Sequence, residues 1–139
     1  MTIDELYAFI ASDFPQVLPW NLTIEALDAS HIAVRQPVGP AQLRPGGTVS
    51  GPTLMALADV TFYLFLMSRI GRVPLAVTTS FNINFLNKPQ PGADVVASAS
   101  LLKLGRRLAI GAVDLRSAGA EPLVAHATMT YSIPPAAGP

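Results

Sequence analysis

The sequence predicts one α+β domain, residues 1–139, in which a curved antiparallel sheet wraps around a single long helix. Three observations lead to this reading. The stretch from about Pro52 to Ile70 is apolar nearly all round, so it should be buried on most sides rather than lie on a surface. Segments rich in β-branched and aromatic residues flank it, two before and four after. The last of these alternates. Leu123, Ala125, Ala127, Met129, Tyr131 and Ile133 fall on one face and Val124, His126, Thr128, Thr130 and Ser132 on the other, as in a sheet covered on one side.

Thr2 to Ser12 reads as a short amphipathic helix. Thr2 can cap it, Asp4 and Glu5 favour its positive end, and Leu6, Phe9 and Ile10 share a face. Pro15 and Pro19 then force an irregular stretch. Leu22 to Leu27 and His31 to Val38 are strands joined by a turn at Asp28-Ala29-Ser30. Gly39 to Pro52 holds four glycines and three prolines and reads as a shaped loop. Ser50 or Gly51 caps the long helix, Pro52 fits its first turn, where a missing N–H costs nothing, and Gly71 closes it. Strands follow at Leu75 to Leu86, Asp94 to Leu104, Arg107 to Ser117 and Leu123 to Ile133, and are expected to run as a meander. Pro134 to Pro139 is expected to fray. A strongly curved antiparallel sheet hides the whole circumference of so apolar a helix, and that arrangement is the hot-dog architecture.

Composition narrows the function. Nine Lys and Arg balance nine Asp and Glu, which argues against a nucleic-acid partner. Only 13% of residues are charged and 50% are hydrophobic, so disorder is excluded and some apolar surface should be hidden in a subunit interface. The chain has no cysteine, which removes disulfides, thiolate zinc sites and a cysteine nucleophile. The two histidines lack metal-ligand spacing, and no metal is expected. The acidic start is unlike a signal peptide, and Leu54 to Met67, broken by Asp59, is too short to cross a bilayer, so a cytoplasmic protein without a membrane partner is expected.

The segment Arg44 to Asp59 is the most informative. A glycine-rich loop feeds a helix N-terminus, where free N–H groups and the helix dipole suit negative charge, such as an oxyanion developing on a thioester carbonyl. Asp59 is the only charged side chain between Arg44 and Arg69. A carboxylate within an apolar helix is costly unless a hydrogen-bonded or functional setting offsets it. Lys103, Arg106 and Arg107 form the densest positive cluster, at a hairpin tip. Phe62, Tyr63, Phe65 and Leu66 follow Asp59 on the helix and could line an acyl pocket.

These residues resemble the hot-dog thioesterases, specifically the phenylacetate-pathway (PaaI-like) acyl-CoA thioesterase group. The resemblance runs from about Leu22 to Ile133. It is strongest at the loop and helix ending in Leu57-Ala58-Asp59, and is supported by Asn82-Ile83-Asn84-Phe85-Leu86 with Pro91-Gly92 and by Lys103-Leu104-Gly105-Arg106-Arg107. In that group the helix opens with His-Gly-Gly and an acid follows. An ungapped match sets Ser50-Gly51-Pro52 on the His-Gly-Gly, Asp59 on the acid, Arg44 on an upstream asparagine and Thr78 near a serine or threonine of the next strand. The histidine and the asparagine are therefore replaced here.

The resemblance implies a Gly51 amide that stabilises an oxyanion and an Asp59 that activates water or attacks the thioester. Ser50 and Thr78 would orient water or carbonyl. Arg44, Phe62, Asn82, Lys103, Arg106 and Arg107 would contact substrate, with coenzyme A entering as part of it and no separate cofactor. Gly51 and Asp59 are two helical turns apart, roughly 12 Å, too far to flank one carbonyl within one chain. A site shared by a homodimer is therefore expected, and the resemblance adds pairing into tetramers. The rival expectation, favoured by Ser50 and Arg44, is an acyl-CoA or fatty-acyl binding protein with little catalysis.

Overall fold

The structure is a computed structural model that describes residues 1–135; the expected frayed tail lies, from residue 136 on, outside the described residues. Helix α1 (Ile3–Asp13) opens on a reciprocal cap, in which the Thr2 hydroxyl accepts from the Glu5 N–H at 3.2 Å and the Glu5 carboxylate accepts from the Thr2 N–H at 3.4 Å. Its buried face is Leu6, Phe9 and Ile10. The proline stretch is more regular than expected. It forms a 3-10 helix, Pro15–Trp20, which Asn21 ends in the left-handed region at φ 54°. Strands β1 (Thr23–Leu27) and β2 (Ile32–Gln36) pair antiparallel.

The loop before the central helix carries one short 3-10 turn, Pro40–Gln42, and closes on itself through a Leu43–Val49 bridge. Helix α2 (Gly51–Ile70) starts at Ser50 as N-cap and ends at Gly71, φ 85°. Strands β3 (Val77–Phe85), β4 (Val95–Leu104), β5 (Leu108–Ser117) and β6 (Leu123–Ser132) complete one antiparallel sheet in the order β1-β2-β4-β5-β6-β3.

That order corrects the expected meander. β3 pairs with β6, not with β4, and forms the far edge. The segment between β3 and β4 is long enough to cross the end of the sheet instead of turning back as a hairpin. It is tied down on the way: Leu86 N–H donates to the Val124 carbonyl at 2.9 Å, Gln90 N–H to the Ser117 hydroxyl at 2.8 Å, and Asp94 accepts from Ala118 N–H at 2.8 Å.

The sheet covers α2 unevenly. Val60 to Met67 is an unbroken run of buried residues, whereas Pro52 is exposed and Met55 is 40% exposed near the start. The sheet comes very close to the helix at Gly111. A Cβ there would lie 1.9 Å from the Phe62 ring, so only glycine lets β5 come this near. Length and hydropathy alone would let α2 cross a membrane, but 61% of its apolar window is buried within the domain, as befits a core helix.

Candidate active site

Asp59 sits in the third turn of α2, where the sheet leaves the helix partly uncovered, and its neighbours explain how an apolar helix tolerates it. The Thr78 hydroxyl and the Tyr131 hydroxyl both lie 2.6 Å from the same carboxylate oxygen, Oδ1. The Tyr131 oxygen is also 3.1 Å from the Asp59 carbonyl. Thr78 and Tyr131 face each other across the β3–β6 ladder, so the register of the edge strand brings both donors to one point. Burial pushes the Tyr131 phenol well above its ordinary range, and the Asp59 charge pushes it further, so it stays a protonated donor. No hydrogen bond reaches Oδ2 among the described residues.

Asp59 borders two cavities. One, of about 490 Å³, is an apolar groove formed with Pro52, Met55, Ala56, Thr78 and Phe81. The other, of about 380 Å³, includes Asp13, Tyr63, Val77 and Tyr131. Tyr63 is also a raised phenol, pushed up to about 12 by burial and then by the Asp13 charge, and it donates to the Pro74 carbonyl at 2.9 Å. A carboxylate held by one oxygen and open at the other can take a proton from water or attack a carbonyl carbon.

The start of α2 forms a separate locus. Gly51 is the first helical residue, so its N–H has no intrahelical acceptor. It borders a cavity of about 430 Å³ with Arg44, Phe85 and Lys88, which surrounds the helix end with positive charge. Sequence reasoning missed Lys88, which follows β3 and comes near Gly51 only through the fold. The Ser50 hydroxyl is engaged by the helix: it accepts from Thr53 N–H at 3.3 Å and lies 2.8 Å from the Thr53 hydroxyl. Among the described residues, Gly51 borders neither of the two cavities at Asp59, and Asp59 does not border the one at Gly51.

The other expected contacts are dispersed. Phe62 is fully buried against Gly111 and Tyr131, so it belongs to the core and not to a pocket wall, because the closely packed sheet leaves no space beside it. Asn82 lies between the inward Phe81 and Ile83 on β3, so it faces away from the helix, accepting from the Asn84 amide at 3.3 Å; it borders neither cavity at Asp59 nor the one at Gly51. Lys103, Arg106 and Arg107 are exposed at the β4–β5 hairpin tip. Ala109 pairs with Tyr131, and Arg107 accepts from Ile133 N–H at 2.8 Å, so the tip lies at the same end of the sheet as Asp59. His126 is 2.7 Å from Asp114 on the outer sheet face. No cluster of three His, Cys, Asp or Glu that could hold a metal occurs among the described residues.

Tyr131 is the important omission of the sequence reading. It sits in the apolar series of β6, where its ring passes for core; the one clue is that it alone in that series carries a hydroxyl.

Comparison with known proteins adds the family. The sequence model of the thioesterase superfamily matches residues 46–124. Among solved structures, a candidate thioesterase of Silicibacter sp. is 48% identical over 95% of this chain and 91% of its own, with a TM-score of 0.87. A variant of the phenylacetic acid degradation protein PaaI of Thermus thermophilus is 31% identical over 86% of this chain and 99% of its own, TM-score 0.74. Zebra fish thioesterase superfamily member 2 is 25% identical over 94% of each chain, TM-score 0.79. No curated protein matches the sequence. The chain belongs to the thioesterase superfamily and has the hot-dog fold of its PaaI-like group, which supports thioesterase activity.

Proposed function

We propose that this member of the thioesterase superfamily hydrolyses acyl-CoA thioesters to a carboxylic acid and free CoA, at sites each built from two copies of the chain. The observation that carries the reading is the Asp59 carboxylate, fixed through Oδ1 by two hydroxyls and open at Oδ2 beside an apolar groove. In the water-activated route, Asp59 takes a proton from water as the oxygen attacks the thioester carbon. The Gly51 N–H of the other copy stabilises the negative charge that moves onto the carbonyl oxygen. The tetrahedral intermediate collapses by expelling the CoA sulfur, which takes the proton from Asp59. In the nucleophilic route Oδ2 of Asp59 attacks the carbon directly and expels CoA as its thiolate; water then hydrolyses the mixed anhydride, which restores the Asp59 carboxylate, releases the acid and yields the proton that the thiolate takes up.

The separation of Gly51 from Asp59 along one helix, and their separate cavities, support the shared site. The cationic hairpin tip suits the phosphates of CoA, while the Arg44 and Lys88 cavity suits the polarised carbonyl end. A dimer, its further pairing into tetramers and a cytoplasmic setting belong to the same reading.

Release of free thiol from short, medium, long and aromatic acyl-CoAs tests it. Asp59→Asn is expected to lower turnover by at least about a hundredfold while the dimer stays intact. Near-normal hydrolysis by that variant would remove Asp59 from the mechanism. Tight acyl-CoA binding by the wild type without thiol release would instead support a binding protein, the reading that the capped Ser50 favours.

A further inference from the structure

We propose that the tip of the β4–β5 hairpin docks on an anionic lipid bilayer, which the protein meets from the aqueous side. The proposal adds a partner to the thioesterase reading and does not depend on it.

The observation is a tip made of two residue types. From Leu102 to Leu108 the chain reads Leu-Lys-Leu-Gly-Arg-Arg-Leu, and every side chain in it is exposed. Leu102 is 64%, Leu104 40% and Leu108 51% exposed. An isolated leucine in water needs no account, but three together mark a surface that makes contact. Lys103, Arg106 and Arg107 form no ion pair among the described residues. The carboxylates at this end of the sheet are engaged elsewhere: Asp13 pairs with Arg72, and Asp59 is held by Thr78 and Tyr131. The tip also stands clear of its neighbours. β2 pairs with β4 only as far as Ala99, opposite Ile32, so the hairpin runs on past β2. It keeps its shape there, because Gly105 N–H donates to the Leu108 carbonyl and Ile133 N–H to the Arg107 carbonyl, each at 2.8 Å.

The composition selects the partner. Leucines enter the acyl boundary of a bilayer while neighbouring lysine and arginine meet the lipid phosphates, and the two contributions add. The phosphates of CoA would use the cations but leave the leucines in water. A second copy meeting this tip across a two-fold axis would set the same three cations against themselves. An anionic lipid surface satisfies both halves of the tip. Such contact needs no spanning helix, so α2 remains the core of the domain. Because the tip and Asp59 lie at the same end of the sheet, docking brings the Asp59 groove toward the phase in which long acyl chains collect.

The test is cosedimentation with vesicles of phosphatidylcholine alone and of phosphatidylcholine mixed with phosphatidylglycerol, with no substrate present. The wild type is expected to bind the anionic vesicles at least about tenfold more tightly than the neutral ones, and added salt should release it. Leu102→Ser combined with Leu108→Ser should weaken binding to the anionic vesicles at least about tenfold, with gel-filtration elution unchanged. Arg106→Gln combined with Arg107→Gln should weaken it as well and flatten its salt dependence, which keeps the test open if the leucine variant does not fold. No wild-type binding, equal binding to both vesicles, or a folded leucine or arginine variant that binds like the wild type overturns the docking surface. A smaller assembly in the leucine variant also overturns it, since those leucines would then cover a second copy. Every arm is read without hydrolysis. Failure here therefore leaves the thioesterase reading standing, and failure to hydrolyse any acyl-CoA leaves the docking surface standing.

Discussion

At the scale of the residue, the two oxygens of Asp59 are held differently. Oδ1 is anchored by Thr78 and Tyr131, and Oδ2, without a hydrogen bond among the described residues, is the one the proposed hydrolysis uses. Two donors on one oxygen fix the direction of the carboxylate. Tyr131→Phe removes one donor and keeps the ring that packs against Phe62 and Tyr63. We expect kcat to fall about tenfold, the worth of one hydrogen bond to a charged group, with KM within about twofold. A kcat within about twofold of wild type would reduce Tyr131 to a packing residue. Asp59 was legible in the sequence because a lone charge in an apolar helix calls for compensation. The compensation itself was half hidden: Thr78 was reached by resemblance, while Tyr131 was masked by the alternation that correctly placed it indoors.

At the scale of the element, the fit of β5 against α2 rests on a missing side chain. Phe62 occupies the space that any Cβ at position 111 would need. Gly111→Ala must therefore displace either the ring or the strand. Overpacking of this kind costs about 1–3 kcal/mol, read as a lower urea midpoint with an unchanged slope. A midpoint equal to wild type would mean that the sheet yields freely there. The helices and strands were legible because each carries its own period and its own caps: Thr2 with Glu5, Ser50 before Pro52, Gly71 at the close. Strand order was not. The β3–β6 pairing is specified by contacts between residues far apart in sequence, such as Val124 with Leu86, and no local pattern announces them. A meander is the simplest reading of four successive strands, and a turn rich in proline and glycine made the β3–β4 hairpin look natural.

At the scale of the whole molecule, the proposed reading divides the chemistry between two copies, and the single chain leaves an edge bare. β3 is an edge strand with Val77 53% and Phe85 52% exposed, and the adjoining face of α2 presents Met55. Apolar edges of this kind call for cover. A second copy related by a two-fold axis would cover this one and bring the Gly51 end of one helix toward the Asp59 of the other. Complementation separates that arrangement from a site within one chain. Asp59→Asn removes the carboxylate. Gly51→Pro removes the amide proton at the first helical position, where proline is tolerated. Ser50 is already extended at φ −72° and ψ 150°, the region demanded of a residue before proline, and the added ring would require the Phe85 ring, 3.3 Å from a Cβ at position 51, to shift slightly. Each variant alone should be nearly inactive. In a dimer of one copy of each, one site keeps both intact groups and the other loses both. Coexpressed chains pairing at random should thus recover roughly a quarter of wild-type activity, because half the dimers are mixed and each has one working site of two. A mixture as inactive as its parents, under conditions where mixed dimers are isolated by paired affinity tags, would refute the shared site and return both groups to a single chain.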